Sequence, residues 1–355
     1  MSTEATSSPW NRVSAGVAEA WAAASRFAVV ALLLLFIFIV FSITQPDFLT
    51  SSNIQNLLSS VSILFVISIG MTFVVLTGGI DLSVGSLLAL TGLILSKLFT
   101  EAGLPIGLAV FITLVAGALI GGCVNGVLVG RVGLSFFVVT LGTLSLYRGI
   151  VNIWSGTKTT YIDSWFISDI GFRHVLGLPI PIWIMIATFV VAFVVLRWTY
   201  FGRDVYAVGG NIEAARLSGI NVPRTLILVY AIAGLAAAIG GIVQAARLGA
   251  SSPLVGESTP LDAAAAVLLG GTSFLGGIGG VTGSAVGVLF IGTLQNGLSI
   301  AGVSSFWQQV VTGAILIVAI AIDRIQQDPS RFRRAVEGGG HGPTSTSEPG
   351  MVDEA

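Results

Sequence analysis

The chain has 355 residues, of which 54% are hydrophobic and only 9% charged, with a net charge of -1 and a mean hydropathy of +0.95. Soluble domains carry roughly a quarter charged residues, so a water-soluble globular domain is excluded, and a near-neutral balance gives no support to a nucleic-acid binder. The composition is that of a membrane chain, and 45 glycines imply helices packed at close range, because small residues let backbones approach where lipid removes the hydrophobic drive for association.

The amino end, residues 1–25, is polar and is expected in the cytoplasm. The apolar run after it lacks a small-residue cleavage pattern and reads as a retained helix. A crossing helix needs about 20 mostly apolar residues. Windows of that order lie near Phe27–Ile43, Leu57–Leu76, Leu82–Leu98, Pro105–Leu128, Ser135–Ile153, Leu178–Leu196 and Thr225–Ala246. From Ala263 to Ile322 no charged residue occurs, which is room for three more, broken at "GGTSFLGGIGG" and "GLSIAGVSS". The eighth is short. The expected fold is therefore an all-α integral membrane protein of about ten transmembrane helices over residues 26–324, followed by a disordered tail at 325–355 rich in Gly, Ser, Thr and Glu.

Placing both termini in the cytoplasm puts Arg12, Arg26, Arg131, Arg197, Arg203, Arg216, Arg224, Arg324, Arg331, Arg333 and Arg334 on that side. It leaves Lys97, Lys158, Arg173 and Arg247 outside, the asymmetry that anionic lipid and the membrane potential favour. The longest outer loop carries Tyr161, Trp165 and Phe166, aromatics suited to headgroup depth. Cys123 is the only cysteine, and His174 and His341 lie far apart with no ligand cluster, so neither a disulfide nor a metal site is expected.

A cytoplasmic loop at 198–224 interrupts the apolar pattern with "AVGGNIEAARLSGINVP". Asn211 is a good N-cap, Glu213 falls where the helix dipole favours an anion, Gly219 can take the left-handed terminal position, and Pro223 prevents continuation. The helix so defined has about two turns, too few to be stable alone, and so calls for a surface to pack on. Elsewhere "TGGIDLSVGS" offers Gly78 and Gly79 for a tight reversal, Asp81 or Ser83 to cap the next helix, and Gly85 just inside it. Gly270 and Gly271 repeat the break in the other half, a pattern that points to broken helices lining a pathway.

Glu213, Ala214, Ala215, Arg216 and Gly219 in "EAARLSG" resemble the EAA loop of permease subunits in ATP-binding-cassette importers. Together with "TGGIDLSVGS", "LDAAAAVLLGGTSFLGG" and "LQNGLSIAGVSSFWQ", the chain from Asn53 to Asp323 is similar to the ribose-type sugar permeases of bacteria. The resemblance implies a multi-pass subunit of the cytoplasmic (inner) membrane, translocating a small, ribose-like sugar, with Asn211 to Gly219 docking on an ATPase subunit. It also implies paired nucleotide-binding domains that bind ATP and Mg, an extracytoplasmic sugar-binding protein and a second permease copy or related permease. No cofactor is expected in this chain, nor any enzymatic activity of its own. A phosphate-binding loop needs Gly-Lys-Ser/Thr, but Lys97 follows Ser96 and Lys158 follows Thr157.

Polar residues within spans have two readings, glue between helices or contacts along a sugar path: Asn125, Arg148, Gln244, Gln295, Asn296 and Gln308. Gln295, Asn296 and Gln308 are expected to cluster near the last outer turn. The competing class is an ion-gradient-driven secondary transporter, which would place acids or histidines in span centres; Asp81 and Asp262 are read as lying near span ends.

Overall fold

The computed structural model describes residues 28–327. The polar segment 1–25 and all but three residues of the tail expected at 325–355 lie outside them; residues 325–327 close the last helix instead of opening a disordered tail. Among the described residues seven helices are long and apolar enough to cross a membrane, and three shorter apolar helices fall on the other expected windows. In chain order they are α1 Ala28–Thr44, α2 Ser51–Leu76, α3 Val84–Thr100, α4 Ile106–Gly130, α5 Phe136–Ser155, then the short α6 Trp165–Phe172, whose Ile167 is fully buried. There follow α7 Ile180–Trp198, α8 Tyr200–Gly210, α9 Ile212–Leu217, α10 Val222–Leu248, α11 Thr259–Leu269, α12 Val281–Ile300 and α13 Ser305–Gln327. The long members are α2, α4, α5, α7, α10, α12 and α13. Two antiparallel two-residue pairings complete the description: β1 Thr160–Tyr161 with β4 Ala250–Ser251, and β2 His174–Val175 with β3 Leu178–Pro179.

Two helices form the centre. Most of α2 and α10 is buried, and α10 packs on α2, α3 and α4. What lets them meet is the absence of side chains: a Cβ on Gly121 of α4 would overlap the carbonyl oxygen of Tyr230, and Gly117 and Gly234 exclude each other's Cβ in the same way. Contact at that range maximises dispersion between backbones, which is what holds helices together in lipid. The opposite face of α4, with Phe111, Val115 and Leu119, is exposed and apolar, as a lipid-facing surface should be.

At the crossing α4 widens into one π-helical turn, Gly121–Gly126. The extra residue rotates the remainder of the helix about its axis, and Asn125 ends fully buried on the inner side.

The short helices do not start at the surface of the bundle. Gly85, the second residue of α3, excludes a Cβ because the carbonyl oxygen of Gly256 and the ring of Pro260 lie against it. With Thr100 at the other end of α3, fifteen residues further on, that contact sits about 22 Å below the end of the bundle. Thus the segment Gly249–Ser258, which links α10 to α11, descends beside α3 into the interior, and only then does the eleven-residue α11 complete the passage.

Candidate functional site

The loop helices lie at the end of the bundle where α2, α7 and α11 finish. Thr199 caps α8 by accepting the Gly202 N–H (3.1 Å), and Asn211 caps α9 by accepting the Ala214 N–H (2.9 Å). Gly219 terminates α9 at φ +85°, a conformation that an L side chain rarely adopts. Within α9 the residues divide. Ala215 is buried against Val208, Val222 and Leu226, whereas Ile212, Glu213, Ala214, Arg216 and Leu217 all face outward, Leu217 with 85% of its surface exposed. Of the two alanines singled out in the sequence, only Ala214 belongs to the outer surface; Ala215 anchors the helix to its own protein. Glu213 and Arg216 pair at 2.9 Å, but both are exposed, so the pair sets side-chain register and adds little stability.

Immediately before Asn211, three backbones converge. A Cβ on Gly209 would overlap the Leu76 carbonyl oxygen at the end of α2 and lie 2.6 Å from the Gly277 nitrogen. The Gly277 N–H in turn donates to the Leu76 carbonyl (2.9 Å), and the Tyr206 hydroxyl of α8 donates to the Gly279 carbonyl (2.8 Å). Gly78, at φ +80°, makes the turn out of α2 and abuts the Leu275 carbonyl. The two glycine breaks noted in the sequence therefore meet each other and meet the loop helices. Gly271 also adopts positive φ, and Gly270 packs on the Gly283 backbone, but the residues that touch α2 and α8 are Gly276 and Gly277 further along. A joint made of backbone atoms has no side chains to yield, so displacement of α8–α9 must move α2 and the α11–α12 loop with it.

Asp81 is fully buried. Its carboxylate accepts the Ser83 N–H (2.8 Å) and the Ser83 hydroxyl (2.6 Å), and Asn125 donates to Ser83 Oγ (2.8 Å) and reaches Asp81 Oδ2 (3.4 Å). Tyr147 of α5 donates to Asn125 Oδ1 (3.4 Å). The sequence placed Asp81 or Ser83 as a side-chain cap of α3. Ser83 occupies the cap position without a side-chain cap bond, and Asp81 instead holds an Asx-type turn and ties three elements together. Gly79 lies beneath this group, near the Tyr230 hydroxyl. Asp81 lies between the ends of α2 and α3, as the sequence suggests, but there it is a fully buried group made tolerable by three donors.

Arg148 reaches across to the descending segment and donates to the Pro253 and Val255 carbonyls, the latter from both terminal nitrogens at 3.1 Å. It lies seven residues before the end of α5, about 10 Å into the bundle. Asp262, in the first turn of α11, accepts from Ser258 (3.0 Å) and stands within hydrogen-bonding reach of Gln295. Asp262 is thus near a helix end, as the sequence suggests, although α11 itself begins deep. The three residues expected to cluster each have a different partner. Gln295 turns to Asp262, Asn296 exchanges two hydrogen bonds with Asn53 (3.0 and 3.1 Å), and Gln308 donates to the Val303 carbonyl (3.0 Å). Gln244 is half-buried beside a void of only about 10 Å³ lined by Gly92, Gly241 and Ser251, too small for a solute.

Asn296 is accordingly helix glue. Its replacement by leucine is expected to lower stability by about 0.6 kcal/mol, the usual worth of an interhelical hydrogen bond in a membrane, and to leave uptake within about twofold of wild type, as thermal unfolding in detergent and a transport assay will show. A loss of uptake with no change in stability would contradict that role.

Several residues were not legible in the sequence: Gly209, Gly276 and Gly277 at the joint, Tyr147 in the Asp81 group, and the Pro253–Glu257 segment. The glycine doublets were visible as doublets, but nothing local says which carbonyl will lie against them. Two cavities, about 480 Å³ between α2, α4, α7 and α10 and about 560 Å³ between α1, α11, α12 and α13, are lined mainly by aliphatic side chains and Phe, with Asp323 at the second, and suit acyl chains better than a polar solute.

A family model described as the permease component of branched-chain amino acid transport systems matches residues 53–320. The chain is 41% identical over 294 residues to the ribose import permease protein RbsC of Haemophilus influenzae, covering 82% of this chain and 90% of the relative. It is 43% identical over 292 residues to the RbsC of Bacillus subtilis (81% and 89%) and 40% identical over 290 residues to the D-allose transport system permease protein AlsC of Escherichia coli (81% and 88%). No solved structure matches the chain.

Proposed function

The chain belongs to the family of branched-chain amino acid transport system permease components, as a permease subunit of an ATP-binding-cassette sugar importer, and from this we propose that its cargo is a ribose-like monosaccharide. Relatives named for ribose and for allose support a monosaccharide over an amino acid. The chain resides in the bacterial cytoplasmic membrane with its α8–α9 end in the cytoplasm. We take α1, α3 and the Gly249–Leu269 passage as crossings alongside the seven long helices, a reading of ten that leaves both termini on the α8–α9 side.

The observation that carries this reading is the backbone joint between Gly209, Leu76 and Gly277, placed two residues before the N-cap of a helix whose outer face is bare. An ATPase subunit with paired nucleotide-binding domains docks on Ile212, Glu213, Ala214, Arg216 and Leu217 and supplies the ATP and Mg chemistry. When it closes on ATP, α9 is pushed, and the joint passes the movement to α2 and to the α11–α12 loop. A binding protein delivers sugar at the opposite end, and a second permease copy or related permease completes the path. Shifting such a two-state equilibrium from 1:99 to 99:1 takes about 5.5 kcal/mol of differential binding, which ATP and the loaded binding protein supply jointly.

Gly219→Pro forces φ to about -65° where the chain needs +85°. It is expected to abolish co-purification of the ATPase while leaving the amount of folded permease unchanged, and Leu217→Glu, which only alters the outer face, is expected to do the same. Full ATPase recovery with both variants would remove α9 as the docking element. Uptake that survives ATP depletion but collapses with the ion gradient would favour the secondary-transporter class.

A further inference from the structure

The descending segment Gly249–Ser258 poses a solvation problem. Non-helical backbone at hydrocarbon depth is tolerated only where it is buried in protein or lines a water-filled cavity. Arg148 satisfies the Pro253 and Val255 carbonyls from one side, some 10 Å into the bundle. On the other side Leu254 (74%) and Glu257 are exposed, and Leu261 one turn into α11 is exposed too. A carboxylate cannot face acyl chains at that depth without a cost of about 2.5–3.5 kcal/mol on insertion scales.

A second element shows the same preference independently. Along α5 the residues Gly142, Ser145, Gly149 and Asn152 recur at spacings of 3, 4 and 3, which is one helical face, and Gly142, Ser145 and Asn152 are exposed. Space beside Gly142 and Gly149 is open. The neighbouring sector of the same helix carries Leu146, Ile150 and Ile153, exposed and apolar, and towards the start of the helix Val138 makes the polar face itself apolar, so the small and polar character belongs to the half from Gly142 to Asn152.

Resting on the reading of the chain as a sugar permease, we infer that the transported sugar passes along the surface formed by Ser145, Arg148 and Asn152 of α5 and by Leu254, Glu257 and Leu261 of the descending passage. Asn152 and Glu257 offer hydrogen-bond partners to hydroxyl groups, and Leu254 and Leu261 offer apolar contact to the C–H faces of the ring, the usual mixture in sites for small polar ligands. Arg148 is a positioning residue here, holding the segment that presents them.

The test uses the whole importer, reconstituted with its ATPase and binding protein, in a Cys123→Ala background that removes the native thiol. Leu254→Cys and Glu257→Cys are treated with a membrane-impermeant, charged thiosulfonate, with Phe111→Cys on the exposed apolar face of α4 as the lipid-facing reference. Only a thiolate reacts, and a thiol in hydrocarbon stays protonated, so modification at 254 and 257 is expected to be at least about tenfold faster than at 111. The adduct at 254 is expected to stop ribose uptake. Rates equal to that of the reference, or rapid modification with uptake intact, would overturn the inference. Absence of ATP-driven ribose uptake by the unmodified Cys123→Ala importer and by wild type alike would instead overturn the underlying reading.

Discussion

Gly209→Val is expected to reduce sugar uptake by at least about tenfold, whereas Gly210→Ala, one residue away, is expected to leave it within about twofold. The pair is discriminating because the two positions share sequence context and helix, and differ in what a side chain meets. At Gly209 a Cβ overlaps the Leu76 carbonyl oxygen and crowds the Gly277 nitrogen; at Gly210 nothing lies within 4 Å. Overpacking of this kind costs about 1–3 kcal/mol, and here the atoms in the way are backbone and cannot rotate aside. The joint must open, breaking the 2.9 Å bond from the Gly277 N–H to the Leu76 carbonyl. Since the outer face of α9 is untouched, the ATPase is expected to remain bound and to hydrolyse ATP without moving sugar. Co-purification, ATPase rate and uptake measured on the same preparations check this, and wild-type uptake by Gly209→Val would remove the joint from the mechanism.

Arg148→Leu carries the second large effect. It preserves the apolar stem and deletes the donors, leaving the Pro253 and Val255 carbonyls without the arginine's hydrogen bonds in the interior. Each orphaned acceptor costs about 1–3 kcal/mol, so the thermal midpoint in detergent is expected to fall by several degrees and uptake to fall with it. Arg148→Lys is expected to recover only part, because an ammonium on a flexible stem cannot fork between two carbonyls as a guanidinium does. Glu257→Gln serves as the control: it removes the charge near Arg148 but neither carbonyl bond, and is expected to leave the midpoint within about 0.5 kcal/mol equivalent of wild type. If Glu257→Gln matched Arg148→Leu in stability, the arginine would be acting through the carboxylate and not through the segment.

The α9 motif was readable because its signals are local. Asn211, Gly219 and Pro223 act on backbone within four residues of themselves, so the caps and the length of the helix are written in the string of letters. Apolar windows were likewise readable, since hydrocarbon thickness demands a run of fixed length and glycine content announces close packing. The polar residues were another matter. Asn125, Gln295, Asn296 and Gln308 look alike in sequence, yet one is buried against Ser83, one turns to Asp262, one pairs with Asn53 and one closes a turn.

By itself, then, the sequence determined a helical membrane chain, its breaks, and a short capped helix shaped to meet another molecule. Only the tertiary structure decided that Gly209, Leu76 and Gly277 share one joint, that Ala215 faces inward, and that Gly249–Ser258 sinks to the level of Gly85. The reason is range: caps and hydrophobic length are settled within a few residues, whereas a backbone contact between positions far apart in the chain depends on how the helices cross, and that is fixed by the packing of the whole bundle.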